Sequence, residues 1–178
     1  MKRHLVLLAT LLGLVCAVFA GGEYRSVKNH FSIDFGPDWK TAASSDSTIE
    51  VALVPNSDVC SLTAFLSVCA SYNAELRNNS IEDFLKITSG EVIARHVKSA
   101  PFVSDFKLLQ EGKAKLGKVQ AYEVLMRYTT PVGARYRRTF MTFNKGYMYN
   151  ISFHSTPESF ESDYDVAKKV LATFDFTR

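Results

Sequence analysis

The sequence predicts an α+β domain in which helices pack on an antiparallel sheet. Residues 106–155 hold four stretches of two-residue alternation joined by short turns that carry glycine; strands connected this tightly run antiparallel. Two other stretches, one over 81–96 and one beginning at Thr156, set apolar residues at helical spacing behind capping residues. The elements come in the order strands, helix, strands, helix, which places the helices on the sheet.

The chain begins with a leader. Lys2 and Arg3 precede the apolar run 5–20, and Val18-Phe19-Ala20 offers small residues for cleavage before Gly21. Sixteen residues fall short of the roughly 20 that cross a bilayer as a helix, so the run reads as a cleaved signal peptide rather than an anchor. Cys16 raises a lipoprotein alternative, although such sites want a residue smaller than Val15 before the cysteine. Cutting after Ala20 leaves 158 of the 178 residues, one domain by length. The leader carries two of the 21 Lys+Arg and none of the 18 Asp+Glu, so the formal charge falls from +3 to +1. A nearly neutral domain has no global field for nucleic acid or an acidic membrane.

Phe31, Ile33 and Phe35 alternate with Ser32 and Asp34, so residues 24–35 read as a half-buried strand ended by Gly36-Pro37-Asp38. Trp39 is a core-capping aromatic or a ligand-stacking platform. Residues 42–47 are small and polar, a loop; 48–54 form a strand turning at Pro55-Asn56. The next strand, 62–72, has an apolar face and a semi-polar one of Thr63, Phe65, Ser67, Cys69 and Ser71, which implies partial cover. Ser80 caps a helix over 81–96, with Asp83 in its first turn and Gly90 as an internal weak point. The meander follows as 106–116, 119–129, 135–144 and 147–155. Thr156-Pro157-Glu158 starts the last helix, whose face is Phe160, Tyr164, Ala167, Val170 and Leu171; Phe174 and Phe176 close the chain as apolar plugs.

No catalytic constellation stands out. His30, His96 and His154 are not at metal-ligand spacing from one another or from a cysteine. There is no Gly-x-Ser-x-Gly elbow and no glycine-rich phosphate loop. Glu158, Glu161, Asp163 and Asp165 lack the spacing of a calcium loop and read as solvated acids in the first turns of the last helix. Cys60 and Cys69 are an even pair in an exported chain, hence a candidate disulfide. Nine residues of strand span about 30 Å, whereas bridged Cα atoms lie about 4.4–6.8 Å apart. The bridge therefore needs a turn, and two separately packed thiols are the alternative. Arg135, Arg137 and Arg138, with Arg127 near, are the candidate partner-binding residues for an anionic protein or lipid headgroup. The competing reading is edge protection and solubility. Asn78-Asn79-Ser80 and Asn150-Ile151-Ser152 match glycosylation acceptors, the second inside an expected strand.

The order of parts resembles the Mog/PsbP-like superfamily, with its PsbP-like and DcrB-like exported bacterial proteins. The resemblance is carried by Phe31-Ser32-Ile33-Asp34-Phe35 running into Pro37-Asp38-Trp39, by Ser80-Ile81-Glu82-Asp83-Phe84-Leu85, by Gly117-Lys118-Val119-Gln120-Ala121-Tyr122, by Tyr147-Met148-Tyr149-Asn150-Ile151 and by Ala172-Thr173-Phe174. It implies an α/β/α sandwich around an antiparallel sheet of six or seven strands with two main helices, residues 21–178 forming one PsbP-like domain behind the signal peptide. It implies a non-enzymatic accessory or binding role, periplasmic or secreted, with no cofactor, and no family metal ligand maps onto this chain. The first functional expectation is an accessory module engaging a protein partner at the envelope, with peripheral membrane association compatible. The second is a periplasmic carrier or sensor for a small ligand or a metal such as calcium, using the half-polar face around Phe65, Cys69 and Tyr72. A third is a photosystem II extrinsic PsbP-type subunit, for a photosynthetic host.

Overall fold

The computed structural model describes residues 22–56, 60–61, 63–100 and 102–178, with only the backbone at Ile93 and His96. The expected leader, Cys16 included, lies outside the described residues. A seven-stranded antiparallel sheet runs through the centre, fed first by β3 (Trp39–Ala42), β4 (Ile49–Pro55) and β5 (Phe65–Tyr72). The meander supplies β6 (Ser104–Leu116), β7 (Val119–Thr130), β8 (Gly133–Asn144) and β9 (Tyr147–Ser155). The spatial order is β3-β4-β5-β9-β8-β7-β6, because β9 returns to pair with β5.

The expected strand over 24–35 is two strands, β1 (Glu23–Ser26) and β2 (Phe31–Asp34), folded into a hairpin. The apolar alternation stops at Phe31. Residues 27–30 turn, with the Asn29 N–H donating to Ser26 Oγ and His30 at φ 53°. At the other end of the chain, β10 (Asp175–Phe176) pairs with β2, so the expected plug at Phe176 is a third strand of this small sheet.

The helix expected over 81–96 is also two, α1 (Ile81–Ile87) and α2 (Gly90–Lys98). Thr88 turns extended at ψ 131°, its hydroxyl donating back to the Phe84 carbonyl at 2.8 Å, and Ser89 caps α2 through the Val92 N–H. A hydroxyl pair that satisfies the backbone locally competes with helix continuation. Gly90 lets α2 approach β6 closely: its N–H donates to the Glu111 carboxylate, where a Cβ would collide. The last helix, α3 (Phe160–Leu171), starts later than Thr156-Pro157 predicts; residues 157–159 form a turn and Ser159 is the cap residue.

The result is three layers. α3 and the small sheet cover one face of the central sheet over a core of Phe31, Trp39, Leu53, Leu66, Phe153 and Phe174. α1 and α2 cover part of the other face, α2 over Val124, Met126 and Tyr128 and α1 over Phe143. Among the described residues no helix is long and apolar enough to cross a membrane.

Candidate functional site

Strand pairing arranges the second face in rows. Tyr122, Met141, Asn150, Cys69 and Ile49 lie side by side across β7, β8, β9, β5 and β4. The next row is Val124, Thr139, Ser152, Ser67 and Ala52, and the next is Met126, Arg137, His154 and Phe65. Arg135 follows Arg137 on β8, opposite Tyr128. α2 lies over β6 and β7, and α1 over β7 and β8. Towards β9 and β5 the rows become polar, as the semi-polar face of 62–72 led us to expect.

Arg137 lies down across the middle row. Its Nε donates to Thr139 Oγ1 at 3.0 Å and Ser152 Oγ at 3.3 Å, and its Nη2 donates to Ser152 Oγ at 2.9 Å. Both hydroxyl residues are sealed, at 0 and 1 % exposure, while Arg137 keeps partial exposure. Burial lowers the guanidinium pKa from its usual value, yet arginine remains charged at any physiological pH. No carboxylate pairs with Arg137 or Arg135 among the described residues, although four ion pairs occur elsewhere in them.

His154 stands beside Arg137 and packs edge-on against Phe65, with ring centroids 5.7 Å apart. Its Nδ1 is 3.1 Å from the Tyr128 hydroxyl. Burial first, then the charges of Arg137 and Arg135, hold its pKa well below the ordinary histidine value, so the ring is neutral. Burial also raises the Tyr128 pKa against the pull of the same two arginines, so its hydroxyl keeps its proton. Cys69 borders this group; burial raises its thiol pKa, outweighing Arg137. Asn150 Oδ1 is buried without a hydrogen-bond partner among the described residues.

The three candidate arginines do not converge. Arg135 and Arg137 share this face, Arg135 donating from Nη1 to the Ala134 carbonyl at 3.1 Å. Arg138 points to the opposite side, where it pairs with Glu123 at 3.3 Å and stacks over the Tyr164 ring of α3 at 4.1 Å. Adjacent residues of one strand must diverge in this way. The candidate disulfide is also absent: Cys60 and Cys69 are both free thiols. Cys60 belongs to the α3-side core, its Sγ 3.9 Å from the Asp163 carbonyl, whereas Cys69 alternates onto the polar face. Burial, then Asp163 and Asp38, push the Cys60 thiol to about 11.

Asp163 corrects another expectation. It is 3 % exposed rather than solvated. Its carboxylate accepts from the Ser61 N–H at 2.9 Å, the Ser61 hydroxyl at 2.6 Å and the Ser155 hydroxyl. Burial alone raises the carboxyl pKa, but these bonds outweigh it and the net shift is downward. This cluster joins α3 to the end of β9 and to the segment before β5, a structural tie. Two surface clefts lie apart from the arginines, one lined by Asp34, Pro37, Trp39 and Lys169, the other by Arg77, Glu82, Gln120 and Lys145. Among the described residues no group of three or more His, Cys, Asp or Glu stands close enough to hold a metal ion.

No family model matches the chain, and no curated relative does either. Solved structures do. Cyanobacterial PsbP (CyanoP) from Synechocystis sp. PCC 6803 superposes with a TM-score of 0.64 at 13 % identity, over 89 % of this chain and 94 % of that one. A Bacteroides thetaiotaomicron crystal structure gives 0.60 at 16 % identity over 90 % of this chain, which spans about half that protein's length, 50 %. LpqN, involved in cell envelope biogenesis of Mycobacterium tuberculosis, gives 0.57 at 14 %, over 89 % and 86 % of the two chains. The likeness is one of fold, and the fold is PsbP-like.

Proposed function

We propose that this protein is exported and acts as a non-catalytic binding protein for a small ligand, received on the polar rows of the second sheet face. The observation that carries the reading is Arg137, a cation lowered onto neutral hydroxyls with no carboxylate paired to it among the described residues. A protein-docking strand built from Arg135, Arg137 and Arg138 has less support, because Arg138 already serves Glu123 and Tyr164 on the other side. Export is supported by the leader sequence and is tested by the mass of the protein from its own host, which should begin at Gly21.

Native mass spectrometry of that material tests binding. A small mass retained in the native protein and released on unfolding is the expected result. A co-purifying polypeptide with no small mass would overturn the small-ligand reading in favour of an accessory role to a protein partner.

A further inference from the structure

We infer that the ligand carries an oxyanion, a phosphate or carboxylate group, and that Arg137, Arg135 and His154 are its hydrogen-bond donors. The inference rests on the binding reading above and specifies its chemistry.

Arg137 carries five N–H donors. Thr139 and Ser152 engage Nε and Nη2, and Nη1 has no acceptor among the described residues. Arg137 as a whole keeps partial exposure. The anchoring groups are uncharged, so they orient the guanidinium without neutralising it. A cation partly withdrawn from water in this way is stabilised by an anion brought to it. Arg138 provides the contrast within the same strand: its charge is paired internally with Glu123.

The histidine adds a donor. Burial first, and then the two neighbouring guanidiniums, keep the ring uncharged, and burial keeps the proton on the Tyr128 hydroxyl. With that hydroxyl donating to Nδ1 the ring proton sits on Nε2, and this is the tautomer inferred for the site. Arg135 acts on both residues as a second positive charge on the same face. Asp46 acts electrostatically on Cys69, at the border of this group. Its carboxylate is engaged by the Thr48 N–H at 2.9 Å and hydroxyl at 2.6 Å, and it makes no ion pair with either arginine. Donors without a competing carboxylate select an anion and repel a metal cation.

The test is a titration of the dialysed mature protein, followed through its histidine ring resonances. The probes are inorganic phosphate, acetate and, at matched ionic strength, chloride. Saturable shifts of the His154 ring with phosphate or acetate are expected, beyond any chloride response. Arg137→Met should weaken that binding about tenfold or more, the loss of a charge-assisted donor, while Lys113→Met, the same charge change on an exposed site, leaves it unchanged. If Arg137→Met does not fold, Arg135→Gln decides: weaker binding supports the site and unchanged binding overturns it. Vesicles of anionic phospholipid are a separate arm. Sedimentation with them that requires Arg137, without a response to free phosphate, assigns the oxyanion to a lipid headgroup. Identical responses to phosphate, acetate and chloride, with no such vesicle binding, overturn the inference. An uncharged small molecule found in host-purified protein together with that result would leave the binding reading standing and remove only the oxyanion.

Discussion

Replacing Asp163 with alanine separates two physical accounts of one residue. As a solvated acid in the first turn of a helix, it would contribute about 0.3–1 kcal/mol through the helix dipole. The structure instead buries it under three donors from Ser61 and Ser155. Hydrogen bonds to a charged group are worth about 1.5–3 kcal/mol each. They share one carboxylate and are not additive, and the desolvation of that carboxylate offsets part of the gain. In the alanine variant the serine hydroxyls can bond to one another, since Ser155 Oγ is 3.0 Å from Ser159 Oγ and 3.4 Å from Ser61 Oγ. The Ser61 N–H is left without its acceptor. The expected loss is about 3 kcal/mol, a fall in Tm of about 6–12 °C for a domain of this size. Urea unfolding followed by Trp39 fluorescence measures it by linear extrapolation. Asp163→Asn keeps an acceptor for the Ser61 N–H and should lose about half as much. Because the folded carboxyl pKa lies below the unfolded one, the contribution is complete above about pH 4 and is lost as the pH falls through the folded value. An alanine variant within about 0.5 kcal/mol of wild type would refute the buried-tie account.

Other tests follow from groups whose environment the fold decides. His154 stays neutral in the folded state, so below about pH 6.5 only the unfolded chain takes up its proton there. Stability should then fall by up to about 1.4 kcal/mol per pH unit from this residue, and His154→Gln should remove that slope; an unchanged slope between pH 7.5 and 5.5 would show the ring to be protonated in the fold. Gly117 turns β6 into β7 at φ 56°, and a Cβ would lie 2.6 Å from the Ala172 carbonyl oxygen. Gly117→Ala should cost about 2 kcal/mol from backbone strain and contact together, read as a shift in the urea midpoint, and a negligible shift would mean the turn yields freely. Trp39 is 1 % exposed and its Nε1 has no partner among the described residues. Its emission should be blue-shifted and poorly quenched by acrylamide until the protein unfolds; a solvent-like native spectrum would contradict the packing.

Much of this architecture is local and therefore readable in one dimension. The meander boundaries follow from alternation and from glycine turns, and Ser80 caps α1 with its hydroxyl 3.1 Å from the Asp83 nitrogen, where the sequence places a cap. For His154, a candidate site residue only in the fold, the sequence does hold a signal. The tight turn at Lys145-Gly146 pairs Asn144 with Tyr147, and that register carries Arg137 opposite His154. The division of 81–96 into two helices was less visible, because Thr88 and Ser89 compete with a helix only when their hydroxyls find backbone partners. The strand at Asp175–Phe176 had no signal of its own; two residues have no period, and β2 supplies the pairing.

What the amino-acid order determined alone is therefore most of the elements, the meander above all, and the side of each strand on which a residue stands, since both depend on chemistry within a few positions. Arg135 and Arg137 were bound to share a face, and Arg138 to leave it. The tertiary structure decided which parts of each face are covered and what a charge meets there. Asp163 is buried by Ser61, 102 positions away, and the polar rows meet only because β5 pairs with β9. Desolvation and hydrogen bonding act through space, so the state of a buried acid, a neutral histidine or an unpaired arginine is set by neighbours that no local pattern specifies.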